Sequence, residues 1–94
     1  MINLKKVLVV EDDEMNLKLY QMAFDREEWN VSYAKDGKTA IDFISNDFYK
    51  LVVLDIALPD MTGLDVLREL RIRPEGINVV VIAVTGYASK THRK

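Results

Sequence analysis

Glu11 and Asp12 follow directly on the apolar run Val7-Leu8-Val9-Val10, and Asp55 follows directly on Leu51-Val52-Val53-Leu54. A third apolar run, Val79 to Val84, leads into Thr85-Gly86. Carboxylates drawn together from separate strands repel one another unless a cation neutralises them. A hard divalent cation with oxygen ligands meets that need, and magnesium typically takes one or two protein carboxylates and keeps several waters. Such a cation attracts phosphate groups. The Thr85 hydroxyl is a candidate donor to a bound oxyanion, Gly86 beside it leaves room for one, and the backbone N–H groups near Ile56 and Ala57 are further candidates. Carboxylate nucleophile, magnesium and hydroxyl donor are the parts of phosphoryl transfer to an aspartate, which yields an acyl phosphate. Each residue also has a plainer reading. A strand-end Asp can cap a following turn, and Thr85 alone is an ordinary β-branched strand residue.

The elements must bring these residues together. Continuous apolar runs of this length read as strands buried on both faces, the mark of a parallel sheet. The pattern predicts strands over 6–10, 31–34, 51–54 and 79–84 and helices over 14–26, 38–45 and 64–72, with Glu27 to Asn30 as an exit turn. Leu19, Met22 and Ala23 are the core-facing candidates of the first helix, Ala40, Ile41 and Ile44 of the second, and Leu64, Leu67 and Leu70 of the third. Asp36, before Gly37, is positioned to cap the second helix. Parallel strands need crossover helices, and right-handed crossovers leave few arrangements. The expected fold is a flavodoxin-like, doubly wound α/β sheet of strand order 2-1-3-4. Only that order sets Glu11, Asp12 and Asp55 on adjacent strand ends.

The bulk of the chain narrows the setting. Its 94 residues fit one small domain, 49% hydrophobic and 30% charged. A net charge of −2 carries no basic footprint for nucleic acid or an anionic membrane. There is no cysteine, which removes disulfides, thiolate nucleophiles and zinc–thiolate sites. The longest apolar run is far too short to span a bilayer, and the first strand starts too early to leave room for a signal peptide, so a cytoplasmic setting is expected. The aromatic residues Tyr20, Phe24, Trp29, Tyr33, Phe43, Phe48 and Tyr49 read as core or rim packing rather than a stacking platform for bases.

Three segments in this order resemble the receiver domain of two-component response regulators, over essentially the whole chain. Val9-Val10-Glu11-Asp12-Asp13-Glu14-Met15-Asn16 looks like the acidic motif of the first strand, Leu54 to Gly63 (LDIALPDMTG) like the phosphorylation loop, and Val84-Thr85-Gly86-Tyr87-Ala88 like the switch threonine segment. The resemblance implies that Asp55 accepts a phosphoryl group from a histidine kinase or a histidine phosphotransfer protein. It implies that Asp12 and Asp55 bind Mg²⁺ directly, with Glu11 acting largely through water and the Ala57 backbone carbonyl completing the protein ligands. Thr85 would bond a phosphoryl oxygen and move with it. Met15, Asn16 and Lys18 would lie near the surface that docks the phosphotransfer partner, although they read equally well as ordinary exposed helix residues. The protein would be a phospho-acceptor, with at most slow Mg²⁺-dependent self-phosphorylation from small donors and autodephosphorylation.

The family pattern also implies a fourth helix, a fifth strand and a fifth helix beyond Lys94, carrying a lysine that contacts the phosphoryl group and a switch aromatic. Lys90 and Lys94 come too soon after the fourth strand to match that lysine, and His92 reads as part of a polar tail. The chain is thus expected to be a single truncated receiver, residues 1–94, with impaired phosphorylation or output. Its fourth strand, apolar and uncharged, becomes an exposed edge that pairs with other chains, which implies a homodimer or higher oligomer through residues 79–84. A phosphorylation-incompetent, self-associating interaction module (decoy or scaffold) is the alternative. An aspartate-nucleophile phosphatase of the haloacid dehalogenase type needs a second Asp where Ala57 stands, and no glycine-rich loop follows the first strand to hold a nucleotide.

Overall fold

The computed structural model describes residues 5–26 and 28–85. They form β1 (Lys5–Val10), α1 (Glu14–Ala23), β2 (Trp29–Ala34), α2 (Gly37–Asn46), β3 (Leu51–Asp55), α3 (Gly63–Arg71), a 3₁₀ turn at Pro74–Gly76, and β4 (Val80–Val84). The four strands make one parallel sheet in the order β2-β1-β3-β4, as the sequence predicts. In the register, Val10 stands opposite Leu54, and Asp55 opposite Val84. The carboxyl ends of β1, β3 and β4 therefore lie side by side.

Two apolar layers hold the sheet. On one face Leu8, Val10, Val52 and Leu54 pack under Ala40 and Ile44 of α2 and Val66 and Leu70 of α3, with Val79 and Tyr49 closing the margin. On the other, Val7, Val9 and Val53 are buried, with Tyr20 and Phe24 of the α1 segment and Trp29 of β2 packed against them. Phe24 and Trp29 meet edge to face at 5.2 Å between ring centroids, a favoured aromatic geometry.

Several expected details differ. Helix α1 ends at Ala23 rather than near residue 26: the Phe24 N–H still reaches the Tyr20 carbonyl, but the Asp25 N–H turns back to Met22 and the Arg26 N–H to Phe24. Strand β2 starts at Trp29 rather than Val31, in register with Lys5. Leu17 is the buried residue of α1, while Leu19, Met22 and Ala23, expected to face the core, are exposed, Met22 by 73%. Helix α1 covers only part of its face, so one apolar stripe meets the sheet and another does not. Leu64 is 48% exposed and Val66 takes the buried place in α3. Phe48, expected to pack, is exposed. Strand β4 is not buried on both faces: Val80 is 60% and Ile82 50% exposed, because no described helix lies over that side of it. No helix among the described residues is long and apolar enough to cross a membrane.

Candidate functional site

The acidic end of β1 is fixed from both sides. The Glu11 N–H continues the ladder to the Ala34 carbonyl at 2.9 Å. The Asp13 N–H donates to Glu11 Oε2 at 3.0 Å. Asp13 then starts α1, its carboxylate accepting the Asn16 N–H at 3.0 Å, a standard way to satisfy an orphan donor of a first turn. Asp12 is held between a strand end and a helix cap, and the pattern of the chain did not single out Asp13 for that cap. Glu11 and Asp55 are each only 1% exposed, and Asp12 is half-buried.

Across the strand boundary Asp55 ends β3. The Ala57 N–H donates to Asp55 Oδ1 at 3.0 Å and sets the rotation of the carboxylate. The Ile56 N–H donates to the Val84 carbonyl at 2.9 Å. Of the two candidate amides for an oxyanion, that of Ile56 is taken up by the sheet, while that of Ala57 lies on the Asp55 carboxylate itself. The loop then closes on itself. The Gly63 N–H donates to the Ile56 carbonyl at 2.7 Å, and Ala57 and Thr62 form an antiparallel bridge. A Cβ on Gly63 would lie 2.5 Å from the Asp55 carbonyl oxygen, so only glycine permits this approach. Thr62 and Asp65 make a reciprocal capping box that starts α3.

One carboxylate oxygen from each of Glu11, Asp12 and Asp55 lies within 4.8 Å of the others. The predicted cluster therefore assembles from β1 and β3. Thr85 follows β4 directly beyond the Asp55–Val84 pair and is exposed. Gly86, Lys90, His92 and Lys94 lie outside the described residues. The negative charge of the cluster reaches α1: partial burial, with Glu11 and Asp55 adding to it, raises the Tyr20 phenol above its ordinary value. Three hard oxygen donors, two of them buried, at one strand-end notch suit a small divalent cation such as Mg²⁺ better than a soft metal.

Residues 7–94 match the model of the response regulator receiver domain. The chain belongs to the receiver-domain family of response regulators. This receiver is 34% identical over 86 residues to the polar-differentiation response regulator DivK of Brucella ovis, an alignment covering 92% of the chain and 70% of the relative. It is 42% identical over 76 residues to the "Probable transcriptional regulatory protein TcrX" of Mycobacterium tuberculosis, covering 81% of the chain but 32% of that relative. Among solved structures, the receiver domain of the sensor histidine kinase PA1611 from Pseudomonas aeruginosa superposes with a TM-score of 0.82 at 26% identity, covering 97% of this receiver and 75% of that chain. That structure holds a magnesium ion in its active-site cleft. The receiver thus spans about a third of TcrX and about three quarters of the PA1611 domain.

Proposed function

We propose that this receiver takes a phosphoryl group onto the Asp55 carboxylate from the phosphohistidine of a histidine kinase or a histidine phosphotransfer protein. The reading rests on one observation: carboxylates from β1 and β3, eleven and fifty-five residues into the chain, meet within 4.8 Å at the strand ends. The magnesium ion in the active-site cleft of the PA1611 receiver supports the choice of cation.

Asp12 and Asp55 would hold Mg²⁺ directly, the Ala57 carbonyl would complete the protein donors, and Glu11 would act through water. The ion supplies charge neutralisation for the incoming phosphoryl oxygens. An Asp55 carboxylate oxygen forms the new bond to phosphorus while the donor's P–N bond breaks, and the departing imidazole keeps the electron pair and takes up a proton. The Ala57 N–H on Oδ1 holds the carboxylate in one orientation for that attack. Thr85, one step beyond the neighbouring strand, would then bond a phosphoryl oxygen.

The open side of β4 supports self-association as part of the same reading. Val80 and Ile82 are exposed there, a depression of about 340 Å³ lined by Asn16, Leu19, Tyr20, Ala23 and Val84 lies at the end of the strand, and β4 has β3 as its single partner among the described residues. The setting proposed is cytoplasmic, without nucleic acid or membrane as partner, in keeping with a net charge of −2.

The test is intact-protein mass after incubation with Mg²⁺ and a small acyl phosphate. One added phosphoryl group, absent in Asp55→Asn and when Mg²⁺ is chelated, is expected. No gain in a folded sample would refute the acceptor reading and leave the interaction-module alternative.

A further inference from the structure

The Ala57 carbonyl differs from the other proposed ligands. A side-chain carboxylate can rotate toward an ion, but a backbone carbonyl points where its loop points. The aim of this donor is therefore decided by whatever holds residues 56–62. The base of the loop is held by the Gly63–Ile56 hydrogen bond and the Ala57–Thr62 bridge. Its tip is held by a different element. Asp60 reaches across to α2, where its two carboxylate oxygens accept the Gly37 N–H at 2.8 Å and the Lys38 N–H at 3.0 Å. Met61 lies directly against Gly37, in space that a Cβ there would need.

Helix α2 has a cap of its own. Asp36 accepts the Thr39 N–H at 2.8 Å through its side chain and the Ala40 N–H at 3.1 Å through its carbonyl. The Asp60 carboxylate accepts from the two donors that Asp36 does not reach, and it does so from a loop more than twenty residues away. These bonds hold the Asp60 carboxyl below its ordinary value, the Gly37 N–H contributing most.

We propose that Asp60 is a positioning residue of the acceptor site: by tying the loop tip to the first turn of α2, it aims the Ala57 carbonyl. The inference rests on the metal and acceptor reading above. Linkage makes it reciprocal. If fixing the loop favours the ion, binding the ion must tighten the Asp60 contacts on Gly37 and Lys38.

Two measurements test it. Mg²⁺ titration by calorimetry is expected to show affinity weakened roughly 3- to 10-fold in Asp60→Ala, with an intermediate value in Asp60→Asn, which keeps one acceptor oxygen. Asp36→Ala, which removes the helix's own cap, is expected to lower stability without that loss of affinity. The second measurement uses the unaltered chain and does not depend on a variant folding. Mg²⁺ should slow amide exchange at Gly37 and Lys38 more than at Thr39, which Asp36 serves. Unchanged affinity in Asp60→Ala, equal losses in Asp60→Ala and Asp36→Ala, or no added protection at Gly37 and Lys38 would each overturn the positioning role while leaving the acceptor reading intact. No Mg²⁺ binding by the unaltered chain would overturn the metal reading, and the positioning role with it.

Discussion

On the face covered by α2 and α3, the strand residues Leu8, Val10, Val52 and Leu54 are all at most 2% exposed. On the face that carries α1, Val7 and Val9 are sealed, yet Val80 and Ile82 on β4 stand in the open. Strand β2 differs between the faces, with Asn30, Ser32 and Ala34 on the first and Trp29, Val31 and Tyr33 on the second, but β4 is apolar on both, so the exposure of Val80 and Ile82 is a matter of cover rather than of sequence. On the first face α2 and α3 cover the β1 and β3 residues but leave Val81 half-buried and Ala83 exposed on β4; on the second, Tyr20 and Phe24 pack against Val7, Val9 and Val53, and of β4 only Val84 joins them. Apolar pattern specifies that a strand face wants burial, but not which neighbour supplies it. The acidic end of the sheet shows the complementary case. There the cover is complete enough to bury Glu11 and Asp55, two groups that are rarely buried without a charge partner or a metal.

Removing equivalent side chains from the two faces should have unequal effects. Leu54→Ala opens a hole in the closed face, and urea unfolding is expected to show a loss of about 2–5 kcal/mol. Ile82→Ala on the open face is expected to change stability by only about 0.5 kcal/mol. Similar losses at both sites would mean that β4 is covered in solution. The next contrast is in assembly. The pair Val80→Lys and Ile82→Lys places two charges on the open face, and sedimentation is expected to shift from oligomer to monomer with little change in unfolding midpoint. A parent chain that is already monomeric at high concentration would end the case for association through residues 79–84.

A smaller effect is expected where α3 begins. Thr62→Ala removes half of the capping box beside the acceptor loop, and chemical denaturation should report a loss of about 1 kcal/mol. The smallest is set by pH. The Asp65 carboxyl is held below its ordinary value, first by the Arg68 hydrogen bond at 2.7 Å, and the Asp60 carboxyl by the amides of α2. Both depressed groups bind protons more readily in the unfolded chain. Their contribution is therefore present above the ordinary carboxylate range, near pH 4, and is lost as pH falls through the lower folded values. Amide exchange in mild acid should loosen the first turns of α2 and α3 before the β1–β3 ladder; loss of the ladder first would contradict that order.

Much of this was legible in the sequence because it depends on local signals that agree. Buried runs at 7–10 and 51–54 with acids at their ends required a parallel sheet, and the 2-1-3-4 order followed from making those acids neighbours. Asp36 carried its cap signal in the next residue, Gly37. What was not legible depends on contacts between distant segments. Leu19 and Met22 have helical spacing but stay exposed, since nothing in α1 alone says which of its apolar residues the sheet will cover. Asp60 reads as an ordinary loop acid beside Pro59; only the approach of α2 shows its carboxylate on Gly37 and Lys38. The Ile56 amide looked available until the register gave it to Val84.

The central claim is that Asp55, and no other side chain, receives the phosphoryl group. An acyl phosphate is reduced by borohydride to the corresponding alcohol, which would leave homoserine in place of aspartate. After Mg²⁺-dependent phosphorylation, borohydride reduction and peptide mass mapping, the account expects homoserine at position 55, with positions 12, 13 and 60 still aspartate. Homoserine at any of those positions instead, or a stable phosphoryl group that borohydride leaves untouched, would contradict it.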